Sequence, residues 1–236
     1  MVKIYLTATV FIPLLVAALA FSSVASGQVD QFTSKPRRPV QERSERLFAL
    51  SYEAAEKGRD DVVKLKPAKN DDEAYARALG FDSVQQASRA QLGGSLSIYA
   101  SRLDWFKNAF PGDMDKLMIV TGQRIYTLHV NGEPKSSVTV AFDPLSNKWR
   151  AVEWGSRKLI RLFERERRRH PSISFVLLIT PENPRGLRFV GEERAGRFFL
   201  TPLTNIDEID LKAGEEVTAD TFVTKIRALA VQLPKP

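Results

Sequence analysis

The run QRIYTLHVNGEPKSSVTVAF, residues 123–142, decides the fold class. Two stretches rich in Ile, Val, Tyr and Thr flank Asn131-Gly132, and Asn-Gly supplies the positive φ angles that a tight hairpin requires. Side chains alternate across a strand, so Ile125, Thr127 and His129 share one face. On the partner strand Val138, Val140 and Phe142 form an apolar stripe opposite Ser137, Thr139 and Ala141, which gives that strand one buried side. Pro134 cannot donate to a ladder and belongs in the turn or at an edge.

Moving C-terminally, a turn at Pro144 to Asn147 leads to Lys148–Trp154, where Trp149 and Trp154 are large enough to anchor a core. Ser156 reads as an N-cap. In the helix that follows, Leu159, Ile160, Leu162 and Phe163 gather on one side, and Arg165, Arg167, Arg168 and Arg169 suit the negative end of the helix dipole before Pro171 stops it. This helix is expected to cover the sheet. Ile173 to Ile179 is an almost unbroken apolar run, the pattern of a central strand buried on both faces. Pro181 to Gly186 is turn chemistry, and Leu187–Val190 with Arg197–Leu203 read as a second hairpin across Gly191 to Gly196. A last helix places Phe222, Val223, Ile226, Leu229, Ala230 and Leu233 on one stripe, so it must dock.

On the N-terminal side, Asp71 and Asp72 cap a short helix through Leu79, and Ser83 caps another that runs to Leu92 before Gly93-Gly94. Leu96, Ile98 and Ala100 alternate with polar residues as a half-buried strand. Trp105, Phe106 and Phe110 crowd into one turn-rich segment that reads as core. Hairpins demand antiparallel neighbours, which predicts an α+β domain: a mostly antiparallel sheet of about six or seven strands covered by helices.

Residues 1–27 read as a signal peptide, with Lys3, an apolar run from Ile4 to Phe21, and Ala25-Ser26-Gly27 for cleavage. The rival is an uncleaved N-terminal membrane anchor, since the run is long enough to span a bilayer. Residues 28–70 form a basic leader, a helix over Val40–Lys57 with Leu47, Phe48, Ser51, Ala54 and Ala55 aligned, and a charged linker. Residues 71–236 form a single α+β domain. With no cysteine there is neither a lipid-anchoring site nor a disulfide, and burial alone must hold the fold in an oxidising periplasmic or extracellular compartment. Net charge is +7, so acidic polymers or membrane surfaces suit the chain, whereas nucleic acid does not suit an exported one.

The chain has no G-x-S-x-G elbow, no Walker-type glycine loop and no H-E-x-x-H. Its two histidines, His129 and His170, exclude a His-rich metal centre, and neither metal nor cofactor is expected. His129 would need an orienting acid, with Asp104 or Glu153 in view, to act as a general base; a sheet-surface or cavity-lining role is simpler. From Arg157 to Arg169 there are seven basic and two acidic residues. Arg157, Arg161, Arg165, Arg167 and Arg168 are therefore candidate anion-binding residues, against a plain solvated helix face.

Ala78-Leu79-Gly80-Phe81 to Leu103-Asp104, with Gly132-Glu133, Ser136-Ser137-Val138-Thr139-Val140 and Trp149-Arg150-Ala151-Val152, resembles an uncharacterised family of exported bacterial proteins. The likeness covers residues 78–163 and implies export and an α+β module, with no assigned activity. The expected function is an exported, non-catalytic binding or interaction module. It would meet a protein, an envelope polymer or a small ligand through the sheet edge or beside Trp149 and Trp154. The alternatives are an envelope or cell-wall hydrolase with a non-standard site, and peripheral binding to anionic membrane through the Arg-rich helix.

Overall fold

The computed structural model describes residues 40–65, 70–155, 157–180 and 186–232, with the side chains of 40–47, 70, 157 and 158 excepted. The expected signal peptide, the basic leader before Val40, the Ser156 cap, the turn at 181–185 and Leu233 lie outside the described residues. Among the described helices none is long and apolar enough to cross a membrane.

The elements run α1 (Val40–Val63), α2 (Asn70–Ala78), α3 (Val84–Ala87), β1 (Gln91–Arg102), a 3-10 helix (Leu103–Asn108), α4 (Met114–Leu117), β2 (Ile119–Val130), β3 (Glu133–Asp143) and β4 (Lys148–Trp154). They continue with α5 (Arg157–Arg169), β5 (Phe175–Thr180), β6 (Leu187–Arg194), β7 (Arg197–Pro202), a 3-10 turn (Asp207–Ile209), β8 (Val217–Thr218) and α6 (Ala219–Gln232). The α+β class holds. Eight strands make one open sheet in the order β4-β3-β2-β1-β5-β6-β7-β8, and every pairing is antiparallel except β1 with β5.

Turn chemistry sets the hairpins. Asn131 and Gly132 have φ of 51° and 78°, the pair of positive angles expected for the β2–β3 turn. The β6–β7 turn is tighter than expected: Gly191 lies inside β6, and the chain reverses at Ala195 and Gly196, with φ of 50° and 72°. Gly93-Gly94 likewise ends no helix. α3 stops at Ala87, and the glycines lie within β1, where the pairing jumps from Leu92↔Leu128 to Ser95↔Tyr126 so that two residues oppose one. That is a β-bulge, and glycine accommodates it.

Ser97 stands opposite both Arg124 and Phe175, so the residues in phase with these three share one face. There α6 buries Phe222, Val223, Ile226 and Ala230 with Phe175, Leu177, Ile179, Phe189 and Leu200. On the same face α1, α2 and α3 bring Ala54, Ala55, Val62, Ala76 and Val84 to Tyr126, Leu128, Val138 and Val140. On the opposite face α5 buries Ile160 and Phe163 with Leu96, Ile98, Ile125, Val176 and Val190. Burial of side chains this size contributes about 1.5–3 kcal/mol each.

Two readings of the core change. Of the three aromatics expected together, only Phe106 is buried, while Phe110 is 66% exposed. A 3-10 helix repeats every three residues, so Leu103, Phe106 and Ala109 face inward and Trp105 faces out. The packed core also begins upstream of Asp71. Tyr126 Oη lies 2.8 Å from Ser51 Oγ, Trp154 Nε1 donates to the Gly58 carbonyl at 2.8 Å, and α1 from Ser51 onward is thereby part of the domain.

Gly58 tests that docking by sign. A Cβ there would lie 2.7 Å from Val138 Cγ2 and 2.8 Å from Ala151 Cβ. In a helix facing solvent, Gly58→Ala would stabilise by about 1 kcal/mol. Against the sheet it is expected to destabilise by about 1–3 kcal/mol, read as a lower urea midpoint; a raised midpoint would contradict the docking of α1.

Candidate functional site

α5 presents different chemistry around its circumference. Ile160 and Phe163 face the sheet, and Glu166, fully buried, continues the same side one turn later. Its carboxylate is held by Arg165 Nε at 2.6 Å and Arg169 Nη1 at 3.4 Å, as a buried charge must be. Arg161, Arg165 and Arg168 recur at i, i+4 and i+7 and therefore share a side. They line a groove of about 350 Å³ with Glu164, Glu133 and Pro134, the last two from the start of β3 just after the Asn131-Gly132 turn. Arg157 opens the helix, and its side chain lies outside the described residues.

His129 sits behind this groove. Its Nε2 lies 2.8 Å from Thr127 Oγ1 and 3.7 Å from Glu164 Oε1. Glu164, not Asp104 or Glu153, is thus its acidic neighbour; Asp104 pairs with Arg102 at 2.9 Å. The β1 bulge makes room for this arrangement. A Cβ on Gly93 would come within 2.6 Å of His129 Nε2, and one on Gly94 would collide with the Arg167 guanidinium. Arg167 in turn reaches Glu164 Oε1 at 3.6 Å.

Thr127, His129 and Glu164 do not form a nucleophile–base relay. A relay uses the two ring nitrogens separately, one for the nucleophile and one for the orienting acid. Here the hydroxyl and the carboxylate both approach Nε2, and Thr127 is buried with its hydroxyl donating to the Gly94 carbonyl at 3.3 Å.

The tryptophans serve the core. Trp154 is tied to Gly58, and Trp149 packs against Phe142 with ring centroids 5.7 Å apart, both beside the cluster under α1. They stand apart from the arginine groove. His170 closes α5 and faces Glu216 at 3.5 Å. Sequence reasoning passed over Glu164 because an acid inside a basic run reads as an i,i+4 partner. Its signal was position: Glu164 follows Phe163 on the side that meets the sheet.

The hydrogen-bonding approach of the His129 ring, at 3.7 Å longer than a formed bond, is the largest influence holding the Glu164 carboxyl below its ordinary value; burial opposes it, and Arg167 and Arg168 assist. A depressed folded pKa stabilises above the unfolded value, and that stabilisation is lost as pH falls through the folded one. Glu164→Gln is therefore expected to cost up to about 1 kcal/mol near neutral pH, with wild type and variant converging below about pH 4 in urea titrations. A gap that stays constant down to about pH 3 would contradict this coupling.

No protein family, curated protein or solved structure matches the chain.

Proposed function

We propose that the protein is an exported binding module that holds a compact anionic group of a cell-envelope partner in the groove between α5 and the β2–β3 hairpin. The observation that carries this reading is the state of the arginines. Arg161 and Arg168 line the groove with no hydrogen bond or ion pair among the described residues, and Arg165 commits its Nε to Glu166. A guanidinium offers five N–H donors in a planar fork suited to phosphate and carboxylate; among the described residues the forks of Arg161 and Arg168 have no hydrogen-bonded acceptor and feel Glu133 and Glu164 only through their charge.

The opposite wall narrows the choice of ligand. Across from the arginines Glu133, held by Lys135 at 2.9 Å, lines the groove from β3, and Glu164, 3.6 Å from Arg167, adds a second carboxylate from α5 itself. Like charges disfavour a dense polyanion along its whole length, whereas a single phosphate or carboxylate beside a neutral or cationic group meets both walls favourably. Export rests on the leader at residues 1–27.

Two probes test the reading: sedimentation with phosphatidylglycerol vesicles against phosphatidylcholine vesicles, and titration with soluble poly(glycerol phosphate). Each basic side chain near an anionic surface is worth about 1 kcal/mol, so the triple change Arg161→Ala, Arg165→Ala and Arg168→Ala is expected to weaken vesicle binding about 100-fold, and salt to weaken it for wild type. Binding of the soluble polymer alone would assign the groove to a wall component instead of a membrane. Equal behaviour of wild type and triple variant on both probes would sink the proposal.

A further inference from the structure

On the far side of α5 from the groove, three ligand-type side chains converge from the end of α5, from β6 and from the residue before β8. His170 ends α5, where its backbone N–H bonds Glu166 and its carbonyl accepts from Ile173. Glu192 lies in β6, 2% exposed, and Glu216 directly precedes β8. One donor atom from each lies within 4.8 Å of the others, and His170 Nδ1 stands 3.5 Å from Glu216 Oε2. That last separation matches a tetrahedron edge built on bonds of about 2.0–2.2 Å.

Two features set this cluster apart from an ordinary surface ion pair. Glu192 Oε2 is buried and has no hydrogen-bond partner, an expensive condition for a carboxylate oxygen. The cation now serving the cluster is Arg194, whose Nε is 3.0 Å from Glu192 Oε1 and whose guanidinium also pairs with Glu216. Arg194 is about half exposed and in this same pose stacks over Phe199 at 3.8 Å, so its guanidinium has solvent to turn into when another cation takes its place.

We infer that His170, Glu192 and Glu216 form a site for a divalent first-row transition metal, with Arg194 as the internal cation that the metal displaces. One imidazole nitrogen with two carboxylates is a three-ligand set that leaves a fourth, solvent-facing position, as suits Zn²⁺ or its neighbours in the series. Calcium and magnesium are disfavoured: calcium takes six to eight oxygen ligands, and magnesium demands an octahedral oxygen shell. The solvent-facing sides of His170 and Glu216, 28% and 24% exposed, give the ion its way in. The two-histidine count of the sequence excluded only a His-rich centre; it could not show that β6 and β8 deliver carboxylates to His170.

The test titrates the chelator-treated full chain with Zn²⁺ calorimetrically and with Co²⁺ by its visible absorption, which reports coordination number. One equivalent is expected to bind, with a low-coordinate Co²⁺ spectrum. His170→Ala and Glu216→Gln are expected to weaken it at least about tenfold, and Arg194→Ala to tighten it about tenfold. His170 sits at an exposed helix end, so its variant keeps the test valid if a Glu192 change unfolds the domain; circular dichroism checks each variant. Absence of a one-to-one site, unchanged affinity in both His170→Ala and Glu216→Gln, or weaker binding in folded Arg194→Ala would overturn the inference.

Discussion

The parallel pairing of β1 with β5 is the contact on which the rest of the molecule depends. It runs from Ser97↔Phe175 to Arg102↔Thr180 and joins two antiparallel halves, β4-β3-β2-β1 and β5-β6-β7-β8, into one sheet. Parallel neighbours cannot be linked by a tight turn, so the chain between them needs a crossover. Here that crossover holds the whole β2–β4 meander and ends in α5, which lays Ile160 and Phe163 over Leu96, Ile98 and Val176 at the seam. Once those two side chains are seated, the rotation of the helix is set. The arginine groove beside β3 and His170 at the helix end follow from it.

Polar order around that helix comes from burial as much as from charge. Glu166 and Glu192 are both sequestered from water, and each is matched to arginine, as the cost of an unpaired buried carboxylate demands. Glu164 faces the other flank, between His129 and Arg167, over a stretch of β1 where only glycine leaves space. The bulge at Gly93-Gly94 therefore links backbone irregularity to the site. An alanine in either position would push His129 or Arg167 off the sheet.

Much of the fold was legible because local signals agreed with tertiary need. Asn131-Gly132 specified one hairpin, the run from Ile173 to Ile179 specified a central strand, and the 3.6-residue stripe of Phe222, Val223, Ile226 and Ala230 specified a docked helix. Other features were hidden because the same residues serve two structures. Gly93-Gly94 fits a helix end as well as a bulge, Trp105 and Phe110 lose burial only when the three-residue period of a 3-10 helix is known, and α1 contributes mostly alanines to the core. Of the site, the arginines could be read directly. Glu133 could not, since it reaches the groove only through strand pairing, and Glu192 and Glu216 likewise meet His170 only through the order of β6, β7 and β8.

Native-state hydrogen exchange at the seam tests the central claim most directly. If β1 and β5 are the join between the halves, the amides of Ile98 to Ser101 and Val176 to Ile179 will be the slowest in the protein and will exchange only through global unfolding. Exchange of these amides by local opening, at the rate of the edge strands β4 and β8, would show two separately stable halves and would contradict the account.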